Sequence, residues 1–356
     1  MKKYLTLLFT SILMLSLFLA GCGNTTNNKK EERNKKTEKM ETQSSNNEDH
    51  FLFTANEGGS ISKISLKKQK ILANFKFDGA VHNIQVSPDG KVVGAVIVPK
   101  MMHGQDESME MKGKAIFFDP HTDKIIKEVE VGNHPAHIVF TEDGKYVLVT
   151  NNEDNTVSVI DAKNFSIVQT IPTGSGPHGF RISKDSQFAY VANMGENTVS
   201  VLNLQSFKEE RKIKVGETPV TTGITSDGKT LVVTINKENA LAIIDLTSGK
   251  IDKVNVGNGP AQVYIQSDNQ FAYVANQGTE DLPSHSVTKV DLNTKQEVAT
   301  IETENGSHGV VTSPDNKYTY ITNMFANTVS VIDNSQNKVI RTIKVGETPN
   351  GISIMP

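Results

Sequence analysis

The 356-residue chain holds a single cysteine, Cys22, so no internal disulfide can form. It also lacks an excess of charge: 37 Lys and Arg against 40 Asp and Glu leave a net charge of −3. Nucleic-acid binders carry a concentrated basic surface, and nucleic acid is therefore not expected as a partner. Familiar enzyme signatures are missing. There is no His-Glu-x-x-His, no Gly-x-Ser-x-Gly and no Cys-x-x-Cys-His, and no P-loop is expected. Acidic residues are plentiful, but they fall in turns and outer strands, where solvation explains them. Nor does any long stretch carry the apolar period of an amphipathic helix.

What is present begins with a targeting segment. Lys2 and Lys3 precede an apolar run from Leu5 to Ala20, the basic-then-apolar order of a secretory signal. The next step, Leu19-Ala20-Gly21-Cys22, resembles the lipobox of bacterial lipoproteins. That resemblance implies a signal peptide over 1–21, acylation of Cys22 (palmitate among the acyl groups), and anchoring at the extracytoplasmic face of a bacterial cell membrane. Each buried CH₂ of an acyl chain contributes about 0.8 kcal/mol to such binding. Residues 22–49 read as the lipidated cysteine plus a disordered polar tether, with too little apolar surface to fold. A flexible chain of that length spans on the order of 30 Å. The folded domain is expected over 50–356.

That domain repeats. The unit from Gln187 to Gly228 reads as a short apolar strand, a polar loop, an alternating strand, a charged strand, then Gly-x-x-Pro and a strand ending in Asp-Gly. The same mark recurs at Asp89, Asp143, Asp185, Asp227, Asp268 and Asp315, at spacings of 54, 42, 42, 41 and 47 residues. Asp-Gly and its variants supply the left-handed backbone of a tight hairpin. Strands are expected at Phe51–Asn56, Tyr146–Asn151, Phe188–Asn193, Leu231–Asn236, Phe271–Asn276 and Tyr318–Asn323, and the period-two runs Thr156–Asp161 and Thr328–Asp333 are strands as well. Four strands per unit at this period indicate an all-β, seven-bladed β-propeller of four-stranded antiparallel blades. The chain enters at the second strand of a blade, and Pro349-Asn350-Gly351-Ile352-Ser353-Ile354 reads as the missing first strand. The C-terminal strand is thus expected to complete the N-terminal blade, leaving no large exposed sheet edge at the join.

Three segments, YVANMGENTVSVLNL, YITNMFANTVSVIDN and VTNNEDNTVSVIDA, together with the VGETP and SPDG-type ends, resemble YVTN-repeat β-propellers. The resemblance covers about 300 residues. It implies the propeller fold; the wider relatives include lactonase-type propellers and those of nitrous oxide reductase and haem-containing nitrite reductase. Propellers are reused for unrelated functions, so activity does not travel with the fold.

Function is read from where the repeats differ. The residue after the Gly-x-x-Pro proline, or its equivalent seven positions before the Asp mark, should stand at the rim of the central channel. Around the ring it is His82, Ala136, His178, Val220, Ala261, His308 and Asn350, and one position on come Asn83, His137, Gly179, Thr221, Gln262, Gly309 and Gly351. Four histidines, His82, His137, His178 and His308, therefore lie at or next to one channel mouth, with His134 in the loop before His137. Methionines share this face: Met194, Met324, and Met101, Met102, Met109 and Met111 in the insertion PKMMHGQDESMEMKG, which also carries His103. A second insertion, QGTEDLPSHS, adds His285. Imidazole and thioether together suit copper, and imidazole alone suits several transition metals. Asn56, Asn151, Asn193, Asn276 and Asn323 close their strands and are expected to bond local turn backbone.

Three functional readings follow. The first is a membrane-anchored binding propeller whose rim histidines take copper, another transition metal, a metallocofactor or a small ligand, with the Met/His loop as accessory arm. The second is a metal-free scaffold for an envelope protein, since Met-rich loops make adaptable binding surfaces. The third is a lactonase-like hydrolase. The sequence favours a binding protein over an enzyme.

Overall fold

Seven four-stranded antiparallel sheets make up the domain. The computed structural model describes residues 49–100 and 112–356. Cys22 with its signal and tether, and Met101, Met102, His103, Met109 and Met111, lie outside the described residues. Blades 2 to 7 are built in chain order from four consecutive strands, whose innermost members are Ala80–Val86, Pro135–Phe140, Pro177–Ile182, Pro219–Ile224, Pro260–Ile265 and Ser307–Thr312. Blade 1 takes its inner strand from the far end of the chain. Pro349–Ile354 pairs antiparallel with Phe51–Asn56, with Leu52 opposite Ile354 and Ala55 opposite Gly351. The ring closes as the sequence implies.

The Asp marks perform as hairpin turns. Asp89, Asp143, Asp185, Asp227 and Asp315 each accept a hydroxyl from two residues before and a backbone N–H from two residues after. The residue after each takes positive φ: Gly90, Gly144, Ser186, Gly228 and Asn316. One such turn, Gly223–Thr230 (GITSDGKT), has the G-x₄-G-K-T spacing of a P-loop. It joins two strands, with Gly228 N–H bonded back to the Thr225 carbonyl, whereas phosphate cradling needs a following helix N-terminus.

Packing between blades decides what the third strands bury. Period-two alternation suggests one buried and one wet face, yet the third strands are buried on both. In Thr198–Asn203, Val199, Ser200, Val201 and Leu202 are all buried, because each blade lies between two others. The alternate serines are satisfied by the asparagines that close the second strands. Asn193 Nδ2 donates to Thr198 Oγ1 at 2.9 Å and Ser200 Oγ at 2.8 Å, and Asn56, Asn151, Asn276 and Asn323 repeat the pattern. These asparagines therefore bridge strands mainly through side-chain hydroxyls, and of the five only Asn151 also takes a backbone group, the Gly132 N–H at 3.0 Å. Blade 5 replaces the whole set with carbon: Ile235, Ala240 and Ala242. Its second strand ends at Ile235 and Asn236 opens a 3₁₀ turn, one residue short of the expected boundary.

The second insertion is also more ordered than a loop. Its flanks extend the hairpin to Phe271–Gly278 and Pro283–Asp291, leaving His285 exposed.

Candidate site at the channel rim

Two local features deliver the rim residues. The residue ahead of each inner strand takes positive φ: His134 (47°), Gly176 (65°), Thr218 (58°), Gly259 (60°), Gly306 (79°) and Thr348 (53°). Such a left-handed kink turns the incoming outer strand toward the axis. A β-bulge then follows in all seven blades, where inner and second strands lose register at the rim position. A bulge sets two residues against one and re-aims a side chain. In blade 2 the register passes from Val81–Ile97 to Asn83–Val96, and His82 is the extra residue. Close blade packing fixes the turn: a Cβ on Gly179 would stand 2.4 Å from Thr221 Oγ1 and 2.7 Å from the Val220 carbonyl oxygen.

Three of the expected histidines meet there. The rings of His137 and His178 lie 5.0 Å apart, those of His82 and His178 5.5 Å, and those of His82 and His137 6.4 Å. His82 Nε2 and His178 Nε2 face each other at 3.4 Å. His134 stands at the edge, its ring 6.2 Å from that of His82 and its Nδ1 3.4 Å from Glu153. His308 is set apart. It belongs to the same rim but turns its Nδ1 to the Asn350 carbonyl at 3.3 Å, with the Gln262 amide at 3.5 Å. Met194 and Met324 lie in the loops after the second strands as expected, both half-buried, and Met324 Sδ accepts from Gln277 Nε2 at 3.1 Å.

One residue the sequence reading passed over organises the cluster. Glu57 Oε1 lies 2.7 Å from His82 Nδ1 and accepts from Asn350 Nδ2 at 2.7 Å. Burial alone would raise the Glu57 pKa; the His82 bond and charge, the Asn350 amide and the His308 charge together overcome that and hold it at about 2. A signal for Glu57 exists in the repeats. The residue following each second strand bonds back to the kinked residue through its N–H, and the set is Glu57, Asn152, Met194, Asn236, Gln277 and Met324. Glu57 is its single acid.

The protonation states follow from the partners. His178 Nδ1 lies 3.2 Å from the Val220 carbonyl, which only accepts, so Nδ1 carries the hydrogen and Nε2 the lone pair. Burial, then the neighbouring His82 and His308, lower the His178 pKa to about 3. His308 falls to about 4, mainly through burial, with Glu57 opposing. His137 is fully buried and neutral, its pKa pushed well down by burial first and by His178 and His82 next. Both of its ring nitrogens are without a partner, a state that costs about 1–3 kcal/mol for each buried polar atom. His82 likewise presents Nδ1–H to Glu57 and turns Nε2 toward His178. Two inward nitrogens at 3.4 Å are stabilised by a positive charge between them, whether a proton or a metal ion. Among the described residues, no three His, Cys, Asp or Glu side chains are already closed round one point; the His82–His178 pair has ligand spacing, and the His137 ring packs beside that of His178.

Known proteins agree on the fold. No curated protein matches the chain. Among solved structures, Kuenenia stuttgartiensis hydrazine synthase is 22% identical with a TM-score of 0.66, over 78% of this chain and 90% of that one. A functionally unknown protein of Desulfotomaculum acetoxidans is 15% identical with a TM-score of 0.72, over 86% and 99%. A 6-phosphogluconolactonase candidate of Bacteroides fragilis is 15% identical with a TM-score of 0.69, over 88% and 99%. At these identities the likeness is one of architecture. The YNCE-like β-propeller family model, in contrast, matches residues 106–270 and 267–355, and with those repeats the chain belongs to that family.

Proposed function

We propose that this protein is a membrane-anchored, extracytoplasmic binding propeller whose rim takes a transition-metal ion through His82, His178 and His137. The observation that carries the reading is the Nε2–Nε2 separation of 3.4 Å. Two imidazole nitrogens bound tetrahedrally at about 2.1 Å to one ion stand about 3.4 Å apart. The outer nitrogens support it. Ligating histidines give their other N–H to a carboxylate or a carbonyl, as His82 does to Glu57 and His178 to Val220. Neutral imidazole is the binding form, and the low pKa values of His178 and His137 keep both rings in it. A small rotation of the His137 ring would bring a third, otherwise unpartnered nitrogen to the ion. Imidazole ligands suit zinc and copper; the methionines of the 101–111 segment add a preference for Cu(I).

Titration of the metal-stripped protein with Zn(II) and with Cu(I) at pH 7 tests the site. Binding of at least one ion, weakened roughly 100-fold or more by His178→Ala and about 10- to 100-fold by Glu57→Gln, is expected. Absence of binding by both ions, or binding indifferent to His82→Ala and His178→Ala, sinks the reading. Lipid anchoring through Cys22 is tested by fractionation: Cys22→Ser should release the protein from membranes, and continued membrane association would refute it.

The Glu57–His82 pair also favours a second reading, in which His82 is a general base oriented by Glu57 for lactone-type hydrolysis. Turnover of a lactone panel by metal-free protein, abolished in Glu57→Gln, would support it. No turnover removes it.

A further inference from the structure

The channel has a second cavity at its opposite end. A cavity of about 320 Å³ runs from the middle of the inner strands to the face that carries the Asp turns. Its charged lining consists of Arg181, Lys184 and Glu142, with Tyr264, Gln262 and Ser353 among the polar groups. Arg181 is three residues beyond His178 on the same strand, and the bulge between them lets both half-buried side chains address the channel.

The guanidinium of Arg181 is poorly matched by the protein around it. It donates from Nη1 to the Phe180 carbonyl at 3.0 Å and lies 5.7 Å from the centre of the Tyr264 ring. The nearby carboxylate, Glu142, is taken up by Lys184 Nζ at 2.5 Å. Burial works against the charge and lowers the Arg181 pKa, with Tyr264 and Glu142 opposing. A guanidinium has five donors in a rigid fork, and among the described residues only the Nη1 bond to Phe180 uses one of them. An enclosed cation of this kind is costly without an anionic partner. A planar carboxylate or a phosphate meets the fork with two parallel charge-assisted hydrogen bonds. Lys184 at the mouth holds Glu142, which keeps that carboxylate from opposing an anion and leaves the Arg181 charge uncompensated. The volume sits at the small end of ligand pockets.

We propose that this cavity is an anion site for a small organic acid or phosphate monoester, held by the Arg181 fork against Tyr264, with Lys184 neutralising Glu142 at the mouth. It is separate from the rim and does not depend on a metal there. Its inner end reaches Gln262, whose amide also lies 3.5 Å from His308 Nδ1, so the two sites approach each other along one channel.

The test is calorimetric titration of the EDTA-treated protein at pH 7 with inorganic phosphate and with malonate. Binding of either anion supports the proposal, phosphate alone pointing to a phosphate monoester and malonate alone to a carboxylic acid. Arg181→Met should weaken it by roughly tenfold or more, and Lys184→Met by about threefold. Lys163→Met, on an exposed turn of blade 3, should leave it unchanged and so controls for surface charge. If Arg181→Met does not fold, Arg181→Lys keeps the charge without the fork and should still weaken binding by about tenfold. No binding of either anion, or affinity unaltered in both Arg181→Lys and Lys184→Met, overturns the proposal.

Discussion

The two ends of the inner strands follow different rules. At the turn end one device recurs: Asp89, Asp143, Asp185, Asp227 and Asp315 hold the same hydroxyl and the same backbone N–H. At the rim the equivalent residues are His82, Ala136, His178, Val220, Ala261, His308 and Asn350, and the backbone alone is repeated. A feature present in many copies holds the ring, and the loss of one copy is tolerable. A residue present once, such as Glu57, has no substitute.

Acid should separate the two ends most strongly. His137, His178 and His308 are neutral when folded and bind protons less readily than in the unfolded chain, where histidine titrates near 6.5. Their contribution is complete above about pH 6.5 and is lost as the pH falls toward about 4 for His308 and about 3 for His178. Each buried imidazole contributes a slope of up to about 1.4 kcal/mol per pH unit. Metal-free protein should therefore lose on the order of 4 kcal/mol between pH 7 and pH 5, read by urea denaturation. Asp315, held at about 2 chiefly by the Ser313 hydroxyl, keeps its contribution until the pH drops below 3.8 and loses it on the way to about 2. A urea midpoint that is flat from pH 7 to pH 5 would contradict neutral burial at the rim.

Smaller effects are expected within the repeated framework. Asn323→Ala removes two bonds, to Thr328 and Ser330, and should cost about 1–3 kcal/mol. The combination Asn323→Ile, Thr328→Ala and Ser330→Ala copies blade 5, with Ile235, Ala240 and Ala242, and should recover most of that loss because the one further group that loses a partner, the Glu304 carboxylate, is only half-buried. A triple variant no more stable than Asn323→Ala would show that blade 5 depends on something other than this exchange. Smallest of all, Asp227→Ala should cost about 0.5–1.5 kcal/mol by thermal denaturation, with metal affinity at the rim unchanged.

Much of the fold was legible because the repeats expose it. Strand order, turn chemistry and closure by Pro349–Ile354 all follow from residue patterns that recur at a fixed spacing. The site was legible in part. His82, His137 and His178 could be placed at one mouth by counting, but the bulge that aims them leaves no mark in the sequence, since every inner strand carries the same extra residue. Glu57 escaped because attention fell on histidine and methionine, and its acidic character stands out only when the residues after the second strands are aligned. Arg181 reads as one more polar strand residue until the channel has walls. Alternation in the third strands marks strand and not exposure, for a physical reason: a sheet packed between two others has no wet face, and Asn satisfies the buried serines.

The closing strand has a consequence for how the protein comes to be active. Asn350, which ties Glu57 to His308 and approaches His82, is supplied by Pro349–Ile354, synthesised nearly 300 residues after the strand it joins. During translation the nascent chain holds its histidines without the residue that links them. Premature ligand capture by the nascent chain would then be disfavoured, and a binding-competent rim would wait for a finished ring.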